Sequence, residues 1–222
     1  MKWQLKRELL PLAVLLVMAL TAWFVYPTLP DRVPTHFNIH GEPDDYSGKA
    51  GFTAFTLGGC IVLYLVLTFI PWLDPFRKKI EQRYETFLKF RNLTLVFFAI
   101  IFFLSLHAAR TGRFEPRWLG FGFGALFIAL GNYLPQLPRN FFFGVRSPWT
   151  LASEEVWKRT HIISGYGFVA GGLLMILLAL CNVNMIWSML GIMAPISLFC
   201  TFVYPYFLFK KLQKENGKEV QL

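Results

Sequence analysis

Leu9-Leu10-Pro11-Leu12-Ala13-Val14-Leu15-Leu16-Val17-Met18-Ala19-Leu20-Thr21-Ala22-Trp23-Phe24-Val25-Tyr26 runs for eighteen residues without a charged side chain. As a helix it covers roughly 27 Å at about 1.5 Å per residue, close to the ~30 Å hydrocarbon core of a bilayer. Lys2, Lys6 and Arg7 before it give it the outline of a secretory signal. The apolar run is too long for that, and its end, Trp23-Phe24-Val25-Tyr26-Pro27, offers no small-x-small cleavage site. It reads as a membrane helix.

Five further apolar runs follow: Phe52 to Trp72, Leu93 to Ala109, Trp118 to Leu134, Ile162 to Leu180 and Met185 to Phe209. In lipid, backbone groups have no water to bond, so each run must satisfy its own hydrogen bonds as a helix. Over its 222 residues the chain is 55% hydrophobic, 18% aromatic and only 16% charged, which excludes a disordered chain and an ordinary soluble domain. The expected fold is an all-α integral membrane protein of six transmembrane helices, with an outer polar cap loop and an irregular inner loop.

The formal net charge of +9 does not point to nucleic acid, because the 22 Lys and Arg are scattered between apolar runs and form no continuous basic face. They read instead as topology signals. With both termini in the cytoplasm, seventeen of the 22 fall inside and five outside, as the positive-inside rule prefers. Cys60, Cys181 and Cys200 all lie in apolar runs without CxxC spacing, so they read as packed thiols. Neither a cofactor nor a resident metal is expected.

The chain divides into a two-span segment over 1–73 with its outer loop at 27–51, a basic stretch at 74–91, a four-span region over 92–209 with its inner loop at 135–161, and a cytoplasmic tail at 210–222. In the basic stretch, Phe76, Ile80, Tyr84, Phe87 and Leu88 recur at near-helical spacing among six cations. That suits an interfacial helix, or equally a cytoplasmic extension of the neighbouring spans. Gly58-Gly59, Gly120, Gly122, Gly124, Gly165, Gly167, Gly171 and Gly172 mark places where helices can approach closely. Pro195 and Pro205 are set to bend the sixth span, since each removes a backbone donor.

The outer loop is polar. Val33 to His40 can run extended, with His36, Asn38 and His40 on one face and Phe37 and Ile39 on the other, and Gly41-Glu42-Pro43-Asp44 reads as a turn. The histidines with Asp44 or Asp45 could in principle hold a metal, but HxNxH is no established metal signature. The preferred reading is a docking surface in which His36, Asn38, His40, Asp45 and Lys49 present donors and acceptors to an external ligand.

The inner loop carries three prolines that deny it a continuous helix. Ser153 can cap a new helix, with Glu154 and Glu155 in its first turn and Glu154/Lys158 and Glu155/Arg159 as i,i+4 pairs. Trp157, His161 and Ser164 fall near one face of that helix, where they could pack against Asn132 or Asn140. Arg139 and Arg146 stand where positive-inside charges belong and where an anionic headgroup would be held.

Pro34-Thr35-His36-Phe37-Asn38, followed by Gly41 and Lys49, resembles the short membrane segment of undefined function that commonly precedes an SdpI-type region. Gly131-Asn132 with Pro135, Asn140, Gly144-Val145-Arg146, Pro148-Trp149-Thr150-Leu151, Ser153, Trp157 and Thr160-His161 resembles the SdpI family itself. The resemblance implies a bacterial multi-span membrane protein that confers immunity against a secreted antimicrobial peptide toxin. In the best-known system it also implies a receptor that recruits a small cytoplasmic repressor. The inner-loop residues Asn132, Arg139, Asn140, Arg146, Trp149, Trp157 and His161 are then candidates for signalling or binding.

Two other classes compete. A small transporter or exporter should carry charged residues at the membrane midplane, and the six runs contain almost none. A membrane enzyme needs its acid, base or metal groups at one depth, whereas His36, His40 and Asp45 are placed outside and Glu154, Glu155 and His161 inside. The expected function is therefore non-enzymatic. Its partners would be the lipid bilayer, a peptide toxin and a cytoplasmic repressor, without direct nucleic-acid binding.

Overall fold

The computed structural model describes residues 4–38, 42–215 and 217. Six helices long and apolar enough to cross a membrane occupy Leu5–Thr28, Lys49–Leu73, Tyr84–Thr111, Arg117–Gln136, Glu154–Leu180 and Met185–Glu215. Each contains one of the apolar runs and extends it, because caps rather than hydropathy end a helix. Ser153 opens the fifth span by accepting from Val156 N–H, and Gly112 closes the third with φ of +66°. The protein is an all-α integral membrane protein, with one short β-hairpin between its first two spans.

In chain order the elements are α1 (Leu5–Val25), β1 (Arg32–Phe37), β2 (Pro43–Gly48), α2 (Lys49–Leu73), α3 (Arg77–Gln82), α4 (Tyr84–Thr111), α5 (Arg117–Tyr133), α6 (Pro148–Ala152) and α7 (Glu154–Leu180), followed by the sixth span, Met185–Glu215. The hairpin sits at one end of the bundle. The start of α1, the 137–153 loop and the end of the sixth span sit at the other, here called the tail end. Exposed apolar side chains such as Leu9, Leu16, Phe55, Phe69 and Phe207 cover the outside. Their solvent is lipid, and Trp23, Trp118 and Trp187, also exposed, stand near the hairpin end where indoles favour the membrane–water boundary.

Packing inside falls into two clusters. Met18, Val33, Phe52, Leu95 and Phe102 join α1, α2, α4 and β1. Ile80, Phe87, Phe90, Leu134, Leu137 and Trp157 join α3, α4, α5 and α7 at the tail end. Between α5 and α7 the glycines work as their spacing suggested. A Cβ on Gly172 would lie 2.6 Å from the carbonyl oxygen of Gly124, and one on Gly165 would lie 2.7 Å from that of Gly131. Backbones meet there with no room for a side chain, which maximises dispersion contact where lipid removes the hydrophobic drive.

The 74–91 stretch does not form one interfacial helix. It breaks at Arg83 into α3 and the first turns of α4. Ile80 and Phe87 enter the tail-end cluster instead of facing lipid, and Arg91 is 1% exposed. The two prolines of the sixth span act through hydrogen-bond register. π-helical turns occupy Met189–Met193 and Phe199–Val203, just ahead of Pro195 and Pro205. Each proline cannot donate to the carbonyl four residues back, and the helix widens locally around that carbonyl.

Candidate functional site

At the hairpin end, β1 and β2 pair antiparallel with Val33 opposite Ser47 and Pro34 opposite Tyr46, and the ladder is irregular on both sides of His36. Pro43 and Asp44, expected in the turn, begin the second strand; pairing of the backbone with β1 outweighs their turn preference. The hairpin base is tied down by Lys49, whose backbone N–H donates to the Asp31 carbonyl at 3.2 Å and whose Nζ pairs with the Asp31 carboxylate at 2.9 Å. That ammonium holds the exposed Asp31 carboxyl below its ordinary pKa range. Val33 is buried in the bundle, and the Phe37 ring rests 5.1 Å from that of Phe114.

The polar residues of the cap engage one another. His36 Nδ1 meets Asp44 Oδ1 at 2.5 Å, and Asn38 Nδ2 donates to Glu42 at 3.1 Å while its Oδ1 accepts from Glu42 N–H at 3.0 Å. Asp45 accepts from the N–H of Tyr46. His40 lies outside the described residues. Among the described residues no group of three His, Cys, Asp or Glu gathers that could hold a metal ion.

Beneath this cap lies a cleft of about 910 Å³ between α2 and α4, reaching Leu119 of α5. Its walls include Phe52, Phe55, Phe98 and Phe102, its depth Thr56, Cys60 and Ser105, and its rim Thr35, His36 and Ser47. Phe55 is 82% exposed, so the cleft opens sideways to lipid as well as toward the hairpin. The cap's polar groups stand out in the sequence but the apolar walls do not, because Phe in a spanning helix has the same composition whether it faces lipid or a cleft.

At the tail end the inner loop is irregular but tightly built. Asn140 is fully buried: its Nδ2 donates to the carbonyls of Pro138 and Phe143, and its Oδ1 accepts from the N–H groups of Phe142 and Phe143. One side chain thus folds the 138–143 turn. Asp74, 2% exposed, accepts from Phe76 N–H at 2.7 Å and Phe141 N–H at 2.8 Å, tying the end of α2 to the loop. Ser147 and Thr150 form a reciprocal capping box that starts the short helix α6; Pro148 sits at its first position, where no N–H is needed, and no continuous helix crosses the loop.

Trp157 and His161 hold the loop from α7. The indole Nε1–H donates to the Leu137 carbonyl at 2.8 Å. His161 Nδ1 donates to the Trp157 carbonyl at 2.8 Å, and its Nε2 accepts from Val145 N–H at 3.1 Å. The two rings stack with centroids 4.0 Å apart. Gly144 must pass directly over the imidazole: its φ is +91°, and a Cβ there would lie 2.3 Å from His161 Nε2. Asn140 within the loop and His161 on α7 therefore hold the same loop, each through its backbone rather than through each other.

The remaining loop residues differ in setting. Asn132 is exposed and donates to the Ile128 carbonyl of its own helix, so it packs against neither His161 nor Trp157. Arg139 donates to the Leu151 carbonyl at 3.0 Å and lies over the Phe76 ring. Glu154 pairs with Lys79 and Arg139 instead of Lys158, because α3 brings a cation to the start of α7; the Glu155–Arg159 pair forms as spaced. Trp149 packs edge-on against Tyr206 at 5.3 Å, and Arg146 is exposed at the loop's surface.

The spans also hold a charge pair that sequence counting had placed in the flanks. Arg91 Nη1 donates to both oxygens of Glu8, at 3.1 and 2.8 Å, and to Thr68 Oγ1 at 3.1 Å. Tyr64 donates to Glu8 at 2.8 Å, and Arg91 Nη2 to the Arg7 carbonyl at 3.0 Å. Glu8 and Arg91 are 2% and 1% exposed. Helical spacing hides such a pair in sequence, since its members are 83 residues apart.

Two family models match in the order the motifs suggested: DUF1648, a domain of unknown function, over residues 12–62, and the SdpI/YfhL protein family over residues 136–207. The first covers most of α1, the hairpin and half of α2, and the second the inner loop and the last two spans. Among curated proteins, "Immunity protein SdpI" of Bacillus subtilis (strain 168) is 22% identical over 208 residues, which cover 94% of this chain and 98% of that protein. No solved structure matches. The chain thus matches the SdpI/YfhL family model over its inner loop and last two spans, behind a matched DUF1648 segment, and is similar along almost its whole length to an SdpI immunity protein.

Proposed function

We infer that this protein is a non-enzymatic membrane immunity protein that protects its bacterial host from a secreted antimicrobial peptide. The observation that carries this reading is the similarity to an immunity protein along almost the whole of both chains. The hairpin-end cleft supports it by chemistry. A peptide that attacks membranes is apolar or amphipathic, and an aromatic-walled cleft of about 910 Å³ open to lipid suits such a segment, with the His36 and Ser47 rim for its polar groups. Captured there, the peptide is kept from assembling in the bilayer.

The distribution of Lys and Arg supports a hairpin facing outward and a tail end with both termini facing the cytoplasm. In this orientation the peptide meets the cleft from outside, and the buttressed inner loop presents Arg146 and Phe141 to a cytoplasmic partner. Recruitment of a small repressor there is the second reading, favoured by the exposure of those two side chains on a loop held from within by Asn140, Trp157 and His161.

The test is a host lacking the gene, challenged with a panel of peptide toxins. Sensitisation to one of them, rescued by the wild-type gene and not by Gly59→Trp at equal protein level, is expected; Gly59 lines the cleft and has open space around an added Cβ. Unchanged sensitivity across the panel overturns the reading. Accessibility labelling of Ser47→Cys and Arg146→Cys should find the two on opposite sides of the membrane.

A further inference from the structure

A second cavity, of about 420 Å³, lies at the tail end, with walls from α4, α5, α7 and the sixth span and with the 142–146 loop at its mouth. Phe90, Leu130, Leu134 and Phe168 make its interior apolar. Ser197, Cys200 and Thr201 line its sixth-span side, two of them within the Phe199–Val203 π turn. The widened helix set up by Pro205 therefore shapes this wall, and π turns of this kind gather at functional sites.

Arg146 stands at the mouth. Its Nη1 donates to the Phe141 carbonyl at 2.8 Å, and among the described residues no carboxylate pairs with it. One hydrogen bond holds the guanidinium at the cavity and leaves its other N–H groups for a further acceptor. An oriented guanidinium favours a planar or tetrahedral oxyanion. The size of the cavity selects what can follow the anion inside. At about 30 Å³ for each water-sized group it holds on the order of a dozen methylenes; a helix about 10 Å across does not fit.

We propose that this cavity binds an anionic phospholipid, with the phosphate on Arg146 and one acyl chain among Phe90, Leu130, Leu134 and Phe168. The lipid fills the gap between the sixth span and α4–α5 and fastens the loop to the membrane surface. Trp149, three residues after Arg146 and half-buried against Tyr206, adds an aromatic of the kind enriched at membrane–water boundaries. This assignment is independent of any toxin.

The test uses the full chain in detergent micelles, with lipid retention read by native mass spectrometry. Phosphatidylglycerol should be retained over phosphatidylcholine of the same chains by about tenfold, the scale of one charge-assisted contact. Arg146→Gln should bring the two to parity while Arg146→Lys keeps most of the preference, and Thr201→Phe, which fills the cavity, should reduce retention of both. Equal retention of the two lipids by the wild-type protein overturns the proposal without recourse to any variant, as does an undiminished preference in Arg146→Gln. Displacement of the lipid by millimolar inorganic phosphate would assign the arginine to free anions and overturn the lipid assignment.

Discussion

Removing Glu8 isolates a cation in the bundle. In Glu8→Ala the Arg91 guanidinium, 1% exposed, loses both of its bonds to the carboxylate. It retains the Thr68 hydroxyl, the Arg7 carbonyl and Asn92 Oδ1. Tyr64 loses its acceptor at the same time. Breaking a buried pair by deleting one partner costs about 3–5 kcal/mol, because the survivor stays buried without its counter-charge. By the scaling for chains of this size that lowers Tm by roughly 6–20 °C.

The pair itself is another matter. Desolvating two charges cancels much of their attraction, so Glu8→Met with Arg91→Met should cost far less than the two single changes summed, about 1–2 kcal/mol for the orphaned Tyr64 and Thr68 hydroxyls. Those hydroxyls can turn back to their own helix. Equilibrium or thermal unfolding of the four proteins in one detergent gives the cycle, and a coupling energy of at least about 2 kcal/mol is expected. Additive losses, or a Glu8→Ala variant within about 1 kcal/mol of wild type, would refute the argument that a buried counter-charge holds α1 to α4.

Other perturbations are as direct. Gly144→Ala forces a Cβ to 2.3 Å from His161 Nε2 at a φ of +91°, and should cost about 2–4 kcal/mol and expose the 142–146 loop to proteolysis. Gly172→Leu drives a side chain into the Gly124 carbonyl, and should part α5 from α7 and leave little folded protein in detergent, whereas Gly58→Leu, with open space around it, should fold normally. The Asp31–Lys49 tie responds to acid. Asp31 has a lowered pKa, so its contribution is full above the ordinary carboxylate range and is lost as pH falls through the lowered value. Hydrogen exchange at Lys49 N–H should accelerate over that window in wild type and show no such step in Asp31→Asn.

How far the sequence told this in advance varies with the physics of each part. The six spans are legible because lipid imposes a length and a composition that neighbouring segments lack. The glycine seam is legible too, since glycine recurring through two spans has few other uses. The loop residues Asn140, Trp157 and His161 stood out as polar or aromatic groups in an apolar region, but their actual work could not be read. All three bond to backbone atoms, and backbone acceptors leave no mark in composition. Glu8 and Arg91 misled for the opposite reason. Each sits near the edge of an apolar run, where a charge normally reaches water, and only the three-helix packing buries them together.

The same packing connects the two ends of the molecule. Phe98 and Phe102 of α4 line the hairpin-end cleft, whereas Phe87 and Phe90 of that helix belong to the tail-end cluster, with Phe87 edge-on to Phe143 at 5.1 Å. From Phe87 to Phe98 is about 16 Å of helix at 1.5 Å per residue. Arg91 lies between them, fastened to α1 and α2. The fastening thus stands along α4 between the residues of the cleft and those of the tail-end cluster. The pair adds little net stability, yet deleting one member strands the other, so Glu8→Ala loosens α4 from α1 at the point that separates the cleft from the loop.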